Sequence, residues 1–345
     1  MINNMVTIVI PTHERHHLLE KRVLPYYLQF DVPILVVDSS QEPHQPSVEN
    51  PAIDYIHCPG EPIPHKLKGP ILDHVHTPYM FTNADDTLHS MKGVQTCIEY
   101  LEANPDYSTA LGLLFQCYHN DRSRVGANNF DLYSLPVDSD RAEERLLQDF
   151  ANFDSVFYAV TRTDCWQNTM RRLPPEIVNY YLMETYVVMM ALIHGKRAKL
   201  PIMYSATEAG PSINDQDLRY HCSPFKLATE ARYAVEVAAV KQAAVAYLQD
   251  KSGISEARSR LYVDGALALY WLQDKPIKSL KDRIGNEWNT FLGKTFCKKK
   301  YKRLKAERRA AALERQKRDT ERSFELIGEE GRLEYEQLME RVRNS

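Results

Sequence analysis

Short apolar runs recur along the first part of the chain, and polar or acidic side chains follow them. The runs lie at 6–11, 33–38, 53–58 and 79–83. They are nearly continuous in Val, Ile, Leu and aromatic residues instead of alternating with polar ones, which is typical of strands covered on both faces. Helical patterns separate them, as in a βα succession. We therefore predict a doubly wound α/β layer with a mostly parallel sheet and flanking helices.

The pattern continues with further elements up to about residue 205. HLLEKRVL leads into a helix that Pro25 limits. A second helix is predicted over 90–105, with Ser90 as its N-cap and Asn104-Pro105 as its stop. The other predicted elements are strands at 108–119, 155–162 and 197–205, an acidic helix near 139–150, and a helix at 176–194.

Beyond about residue 224 the strand pattern stops and long helical patterns take over. This change of period marks a domain boundary. We predict an α/β domain over 1–223, an α-helical C-terminal subdomain over 224–280 and a charged helical tail over 281–345. No internal repeat is visible in the sequence.

Composition places the chain among ordinary globular proteins, with 345 residues of which 43% are hydrophobic. No apolar window approaches the roughly 18 residues that a membrane span needs, and the amino terminus has no cleavable signal pattern. We therefore expect a cytoplasmic protein. The six cysteines are scattered and form no CxxC pair, which argues against a disulfide framework and against a zinc site.

The net charge of the whole chain is close to zero, but positive charge is concentrated in one segment. Residues 281–320 contain 14 Lys/Arg against 5 Asp/Glu, a net charge of +9, whereas the whole chain carries −3 and the rest therefore −12. A solvated helix face is the first interpretation of this basic segment. Docking to a protein partner or to a membrane surface, peripherally at its inner face, is the second, and no nucleic-acid partner is expected.

Acidic side chains end two of the predicted strands. VVD places Asp38 at the end of one strand, and MFTNADD places Asp85 and Asp86 at the end of another. Ligands of open parallel sheets bind at the carboxyl ends of the strands, so we expect these acids to converge on one crevice. Two adjacent carboxylates repel each other, and a divalent cation removes that cost. Because Mg²⁺ and Mn²⁺ prefer one or two carboxylates plus phosphate oxygens, a nucleotide diphosphate substrate is indicated.

Four segments occur in an order and spacing that are more specific than any single motif. They are TIVIPTHER (7–15), ILVVDSS (34–40), YMFTNADDTL (79–88) and YLMETYVVMMALIHGKRAKLP (181–201), and together they span roughly residues 5–210. In these segments the chain resembles the GT-A-fold nucleotide-sugar glycosyltransferases, especially the family-2-like bacterial group. The resemblance implies a GT-A (Rossmann-like) sheet. It also implies that Pro11, Thr12, Glu14 and Arg15 hold the donor nucleoside together with Asp38, which accepts from a pyrimidine ring NH.

The ADD segment resembles the aspartate-rich motif of that family, which holds a metal ion and the donor diphosphate. The resemblance implies that Asp85 and Asp86 bind Mn²⁺ or Mg²⁺ and that Asp85 also contacts the donor. Many relatives carry a further acid where this chain has Asn83 or Thr87. Asn and Thr still offer neutral oxygens, but with fewer charges the ion binds more weakly. The alternative is that Asp85 and Asp86 only cap the following helix.

The predicted helix at 176–194 carries a carboxylate, Glu184, on its apolar stripe. The stripe comprises Ile177, Tyr181, Glu184, Val188 and Leu192. A carboxylate that faces the core has its pKa raised towards the working pH, which suits a general base. METY resembles the family's Glu-Asp motif, whose acid deprotonates the acceptor in inverting enzymes, with Thr185 in place of the usual second acid. The alternative is a Glu184 that is satisfied by Arg15 or Arg162.

Further candidates lie outside these motifs. Lys66 and Lys68, in PHKLKG, are candidates to reach phosphate oxygens as point charges. His221 follows the last predicted strand, where the resemblance implies a mobile segment that closes over the donor and can carry a metal-binding histidine. Glu208 belongs to the same loop. Exposed lysines and a solvent-facing histidine are the alternatives.

The sequence thus predicts an enzyme that transfers a sugar from a nucleotide-activated donor to a glycan or glycoprotein hydroxyl, with inversion. The resemblance implies glycans of a bacterial surface polymer, or a glycosylated protein, as acceptors. Two alternatives stay open. A sugar nucleotidyltransferase has a similar sheet but usually a Gly-rich loop after its first strand, where this chain has PTHERHH. A non-catalytic scaffold of the same fold, with a partner-binding basic tail, is the other.

Overall fold

A mixed β-sheet forms the centre of the molecule. The computed structural model describes residues 2–44, 50–118, 121–127, 137–209, 224–273 and 298–344. The described strands are β1 (Val6–Thr12), β2 (Ile34–Asp38), β3 (Ile53–His57), β4 (Tyr79–Thr82), β5 (Thr87–His89), β6 (Tyr107–Tyr118), β7 (Asp121–Ala127), β8 (Val160–Arg162) and β9 (Lys196–Ala209). These strands make one sheet with the order β3-β2-β1-β4-β8-β6-β9-β5, and β7 pairs with β6.

The first four strands of this order run parallel to one another, and β6 and β9 form a second parallel pair. Strand β8 is antiparallel to both of its neighbours and so joins the two parallel groups. The short strands β5 and β7 pair antiparallel with β9 and β6. Strands β1, β2 and β4 are buried along almost their whole length, which confirms the interpretation of their continuous apolar runs.

Helices pack against this sheet, and those after residue 224 pack against one another, against helices of the first part and, in the case of the last helix, against the sheet. The described helices are α1 (His16–Leu18, a π-helical turn Leu19–Val23, and Leu24–Tyr27), α2 (Ile63–His74), α3 (Met91–Ala103), α4 (Ala142–Phe150), α5 (Thr163–Arg171), α6 (Tyr180–His194), α7 (Pro224–Thr229), α8 (Ala234–Ser252), α9 (Glu256–Gln273) and α10 (Lys298–Asn344). Among these helices, none combines the length and the apolar character that crossing a bilayer requires.

One helix cap is the predicted one, and another moves the start of a predicted helix. Ser90 caps α3 as predicted, because its hydroxyl accepts from the backbone N–H of Gly93 at 2.7 Å. Helix α6 begins at Tyr180 and not at 176. Asn179 sets that start, since its side-chain oxygen accepts from the N–H groups of Tyr181 and Leu182.

Pro25 does not end α1, contrary to the prediction. The helix passes through the π-helical turn Leu19–Val23 and continues through Pro25 to Tyr27. Proline lacks a backbone N–H and its ring crowds the carbonyl four residues earlier, and the wider π turn just before it accommodates both effects. The helix therefore keeps Tyr26 and Tyr27 buried against the sheet.

Other elements also differ from the prediction. The stretch 155–162 forms only the short strand β8, and residues 155–159 run as a loop past β4, where the carbonyl of Phe157 accepts from the Thr82 hydroxyl. Helix α2 was not predicted because it contains Pro70, which disfavours a helix interior. Helix α5 and strand β5 were also missed, since both are short.

The second half of α10 docks onto the body of the protein. Gly328, with φ of 69°, interrupts the helix in a left-handed conformation that suits glycine. The buried hydrophobic side chains after this break are Tyr335, Leu338, Met339 and Val342. The charged tail predicted over 281–345 therefore includes a docked half, which its charge pattern alone does not predict.

Candidate functional site

The carboxyl ends of β1, β2 and β4 meet at one edge of the sheet. Thr12, the last residue of β1, pairs in register with Asp38, the last residue of β2. The Thr12 hydroxyl donates to Asp85 Oδ2 at 2.9 Å, just beyond the end of β4. Both strand-end acids therefore lie next to Thr12, and the structure brings together groups that are remote in the sequence.

Asp38 is buried and strongly hydrogen-bonded. Its Oδ1 accepts from the backbone N–H and the hydroxyl of Ser40, at 2.9 and 2.6 Å. Its Oδ2 accepts from Nε2 of His16 at 2.8 Å and from the Tyr55 hydroxyl. Burial alone would raise the pKa of Asp38, but the hydrogen bonds from these partners outweigh it and lower the pKa to about 2. Asp38 is therefore a carboxylate at neutral pH.

Arg15 provides a positive charge to the Asp85/Asp86 pair. Its Nη1 donates to Asp85 Oδ1 at 2.9 Å and to Asp86 Oδ2 at 3.3 Å. Asp85 is buried, whereas the Asp86 side chain keeps 21% of its surface exposed. Burial, together with the neighbouring Asp86 charge, raises the pKa of Asp85 to about 6 despite the opposing charge of Arg15. The Arg15 guanidinium thus offsets part of the repulsion between the two adjacent carboxylates.

Asn83 and Thr87, which stand where relatives carry another acid, hold the loop together. Asn83 is buried, and its Oδ1 accepts from the Tyr27 hydroxyl at 2.7 Å while its Nδ2 donates to two nearby backbone carbonyls. The Thr87 hydroxyl lies 3.2 Å from Asp86 Oδ1 and 2.9 Å from the Thr207 hydroxyl. The Asn83 amide is thus engaged inside the protein, and a neutral metal ligand at this position stays a prediction.

A divalent ion at this loop would therefore rest on the two aspartates. Among the described residues, no three His, Cys, Asp or Glu side chains converge as in a complete metal site. Two carboxylates nevertheless suit Mg²⁺ or Mn²⁺, which take their remaining ligands from phosphate and water oxygens. The position of the Arg15 guanidinium is direct evidence that the pair attracts positive charge. The donor set thus fits an ion that is shared with a diphosphate.

Glu184 lies on α6, and its side chain is partly exposed. Burial raises the pKa of Glu184, the Ser155 side chain opposes that rise, and the Asp154 charge adds to it. The alternative partners named from the sequence bind elsewhere: Arg162 donates to two backbone carbonyls, and Arg15 donates to the aspartate pair. A partly exposed carboxylate with a raised pKa has the properties of a general base.

Tyr158 connects Glu184 with the aspartate pair. Its pKa is raised first by burial and then by the charges of Glu184, Asp86 and Asp85, so the phenol lies within electrostatic reach of these acids. Its hydroxyl is 3.3 Å from the hydroxyl of Tyr180 on α6. The carboxylate of α6 and the aspartates after β4 therefore act electrostatically on the same phenol.

The two candidate lysines are held by backbone and hydroxyl oxygens. Lys66 is buried, and its Nζ donates to the carbonyl of Thr12 at 2.7 Å and to the Ser39 hydroxyl at 3.0 Å. Lys68 donates to the carbonyl of Leu173 at 3.2 Å. Lys66 thus ties the loop after β1 to the loop after β2, at the edge where the acids meet, whereas Lys68 faces the end of α5.

The other predicted donor-binding residues lie around Thr12. Pro11 precedes it within β1. Glu14 lies in the following loop, where its backbone N–H donates to the Ser40 hydroxyl at 2.7 Å and its Oε1 accepts from the backbone N–H of Gln41 at 2.8 Å. His221, the remaining metal-ligand candidate, lies outside the described residues.

Three residues of this region are not among the candidates that the sequence predicts. Ser155 and Tyr158 were hidden in a run that was interpreted as a strand, and only the loop at 155–159 brings them to Glu184 and the aspartates. His16 could have been found, because PTHERHH places a polar cluster directly after a buried strand.

Comparison with known proteins supports the fold. No protein-family model matches the sequence, and no curated protein matches it. The structure of S. aureus TarS 1–349 in complex with UDP-GlcNAc aligns over 84% of this chain and 80% of its own, with a TM-score of 0.51 and 11% identity. Two other S. aureus TarS structures align over 78% and 79% of this chain, at 12% and 10% identity, with TM-scores of 0.42 and 0.41; they cover 55% and 93% of the TarS chains. The chain therefore has a GT-A-like fold.

Proposed function

We propose that this protein is an inverting glycosyltransferase that moves a sugar from a nucleotide-activated donor to a hydroxyl of a glycan or glycoprotein. The observation that carries the proposal is the gathering of Asp38 and the Asp85/Asp86 pair at one edge of a GT-A-like sheet, with Glu184 acting electrostatically on Tyr158, which the aspartate pair also influences. A parallel sheet does not by itself require acids there. Because charged groups are expensive to bury, their gathering at a ligand-binding edge favours a functional role.

A nucleotide-sugar is the donor class that this edge favours. Asp38 is a carboxylate with a low pKa, and such a group accepts hydrogen bonds well from the ring NH of a pyrimidine base. The aspartate pair lies beyond the end of β4, with β1 between it and Asp38, and suits a diphosphate that is accompanied by a cation. The TarS structure that aligns with this chain contains UDP-GlcNAc, which supports the same donor class.

Mn²⁺ or Mg²⁺ is the cofactor that we propose for the Asp85/Asp86 pair. When bound, the ion supplies positive charge to the departing nucleotide diphosphate. Asp86 is the more exposed of the two and is the proposed main ligand. Asp85 is held by Thr12 and Arg15, so it keeps the loop in position.

Glu184 is the proposed general base. It takes the proton from the acceptor hydroxyl, whose oxygen attacks the anomeric carbon while the bond from that carbon to the diphosphate breaks. The electron pair of the broken bond leaves with the nucleotide diphosphate. A single displacement of this kind inverts the configuration at the anomeric carbon. Ser155, whose side chain hydrogen-bonds Glu184, is the neighbour proposed to orient the base.

A binding screen tests the donor class. Purified protein is titrated calorimetrically with UDP, GDP, CMP and TDP, each with and without Mn²⁺. We expect one nucleotide to be selected, and a diphosphate to bind more tightly with the ion than without it. Binding of none of the four contradicts the proposed donor class.

Variants distinguish an enzyme from a non-catalytic scaffold. Asp86→Ala and Glu184→Ala are expected to abolish hydrolysis of the donor selected in the screen without changing the unfolding midpoint. Glu176→Ala removes an exposed carboxylate shortly before α6 and should retain activity. Turnover that survives both of the first substitutions contradicts the proposed roles, and a wild-type protein that binds donor without turnover fits the scaffold.

A further inference from the structure

Two consecutive residues, Arg15 in the loop after β1 and His16 at the start of α1, cover the acids of the proposed donor site. Arg15 contacts the Asp85/Asp86 pair, and His16 contacts Asp38. We propose that segment 13–16 occupies the donor site in the resting protein, with Arg15 in the place of the cation and His16 in the place of the ring NH of the base. Donor and ion then bind by displacing these two side chains. The inference rests on the proposed function and adds a gating step to it.

The contacts of Arg15 are those that a cation at this pair would make. One nitrogen, Nη1, reaches an oxygen of each aspartate, at 2.9 Å for Asp85 and 3.3 Å for Asp86. The Arg15 side chain is 14% exposed, so little water screens its charge. A divalent ion needs the same carboxylate oxygens at about 2.0–2.6 Å. The guanidinium and the ion therefore compete for one place.

The contact of His16 with Asp38 is an independent observation on the same segment. Nε2 of His16 lies 2.8 Å from Asp38 Oδ2, and the Asp38 side chain is fully buried while His16 is 27% exposed. The His16 ring also packs on the ring of His44, with centroids 4.7 Å apart, and His44 is paired with Glu20 at 2.6 Å. His16 is thus held over the carboxylate and donates the kind of bond that a ring NH of a base would donate.

The backbone of segment 13–16 is strained at Glu14. Displacement of the segment from the acids would relieve that strain. Glu14 has φ of 55°, a left-handed conformation that is unfavourable for a residue with a Cβ. The loop keeps this conformation through the bonds of Glu14 to Ser40 and Gln41 and through the contact of His13 Nδ1 with the Ser39 carbonyl at 3.0 Å. Strain held by neighbouring contacts at a ligand site is typical of segments that switch between two positions.

Competition predicts an effect on ion binding that needs no turnover. Mn²⁺ is titrated calorimetrically into wild-type protein and Arg15→Gln without nucleotide. Because the variant has no guanidinium to displace, we expect it to bind Mn²⁺ roughly tenfold more tightly. Arg172→Gln is the matched control, since it removes an arginine charge from an exposed pair with Asp250 and should bind Mn²⁺ like the wild type.

A second variant tests whether His16 blocks nucleoside binding at Asp38. His16→Ala exposes Asp38 and is expected to bind free UDP roughly tenfold more tightly, with unchanged Mn²⁺ affinity. His74→Ala, which breaks an exposed pair with Asp54, is the control. Arg15→Gln should show the opposite selectivity, with tighter Mn²⁺ binding and little change for UDP alone.

The outcomes separate this inference from the proposed function. If the wild type binds UDP but Arg15→Gln and His16→Ala bind their ligands no more tightly than it does, the displacement model is overturned, and glycosyl transfer stays open. If the wild type binds no nucleotide, the proposed function fails. Arg15→Met replaces Arg15→Gln if circular dichroism shows that the latter does not fold, and Mn²⁺ binding by none of the proteins also overturns the model.

Discussion

Carboxylates at one edge of this sheet differ in acid strength because their immediate surroundings differ. Asp38 is buried among hydrogen-bond donors, which lower its pKa to about 2. Asp85 is buried beside another acid, and its pKa rises to about 6 although Arg15 is in contact. Glu184 has a hydroxyl and an acid nearby, and burial raises its pKa. The same chemical group, a carboxyl, thus provides a fixed charge at Asp38, a loop anchor at Asp85 and a candidate base at Glu184.

The first prediction concerns the pH dependence of Glu184. A general base acts only when deprotonated, and burial raises the Glu184 pKa above the usual value of 4.5. Activity should therefore fall as pH drops through that raised pKa. Glu184→Gln should lose the acidic limb and about 10²–10⁴-fold in kcat. A pH–rate profile of donor hydrolysis measures both effects, and an acidic limb that persists in the variant would assign it to another group.

The second prediction concerns Asn83, where relatives carry an acid. Its amide donates to two backbone carbonyls, so Asn83→Asp replaces a donor by an acceptor in a buried place. We expect a loss of about 1–3 kcal/mol in the free energy of unfolding and no tighter Mn²⁺ binding. Urea unfolding and calorimetry measure the two quantities, with exposed Asn4→Asp as the control. A stable variant with stronger Mn²⁺ binding would show that the side chain turns outward.

Separate elements are joined behind Glu184 by a buried ion cluster. Arg197 of β9 donates to Asp149 of α4 and to the carbonyl of Asp154 at 3.0 Å. Lys199, also on β9, donates to Asp154 Oδ2 at 3.1 Å. Since Asp154 directly precedes Ser155, these contacts fix the loop whose side chains border Glu184. The cluster therefore connects the packing of a helix and a strand with the geometry of the candidate base.

The third prediction tests this cluster. Asp149→Asn removes the negative charge beside a buried guanidinium, and breaking a buried pair costs about 3–5 kcal/mol of unfolding free energy. Asp250→Asn breaks the exposed pair with Arg172 and should cost at most about 1 kcal/mol. Chemical denaturation of both variants provides the comparison. Equal, small losses would mean that Asp149 is not needed to balance the Arg197 charge.

The fourth prediction tests the docking of α10. Leu338 is 4% exposed and Leu333, on the same helix, is 56% exposed. Leu338→Ala should lower the free energy of unfolding by about 2–5 kcal/mol because it opens a cavity under the docked half. Leu333→Ala removes the same atoms at the surface and should change it by less than about 0.5 kcal/mol. Denaturant titration compares them, and similar values would contradict the docked arrangement.

At the scale of the whole molecule, α10 combines two different surfaces. Its first part, residues 298–318, carries 11 Lys/Arg against 2 Asp/Glu. Beyond it, Phe324 stacks on Phe115 of β6, with ring centroids 5.1 Å apart, and the helix then packs on the body. A helix that is docked at one end and strongly basic at the other can present its charge to an anionic surface.

The fifth prediction tests whether that charge meets a membrane. The basic part has few large apolar residues, so any attraction to lipid should be electrostatic. Binding to vesicles that contain anionic lipid should therefore fall steeply with rising salt and be absent with neutral vesicles. Replacing Lys298, Lys299 and Lys300 by Gln should weaken it. Sedimentation with vesicles measures the bound fraction, and salt-insensitive binding, or none, rules this interaction out.

The pattern of apolar runs was sufficient for the strands that carry the acids. Strands β1, β2 and β4 are buried on both faces, so their composition alone predicts a parallel arrangement, and Asp38 and Asp85 follow at their ends. The loop at 155–159 cannot be predicted from the apolar pattern. Its apolar residues are buried in an irregular conformation, and burial in a loop leaves the same composition as burial in a strand.

By itself, the sequence determined which acids stand at the edge of the sheet, because hydrophobic periodicity and strand ends are local properties. Only the tertiary structure decided which partner each acid has. Arg15 on the aspartate pair, His16 on Asp38 and Ser155 beside Glu184 all join residues that are remote along the chain. The charge state of a buried carboxylate depends on such contacts and on exclusion of water, and both exist only once the chain has folded.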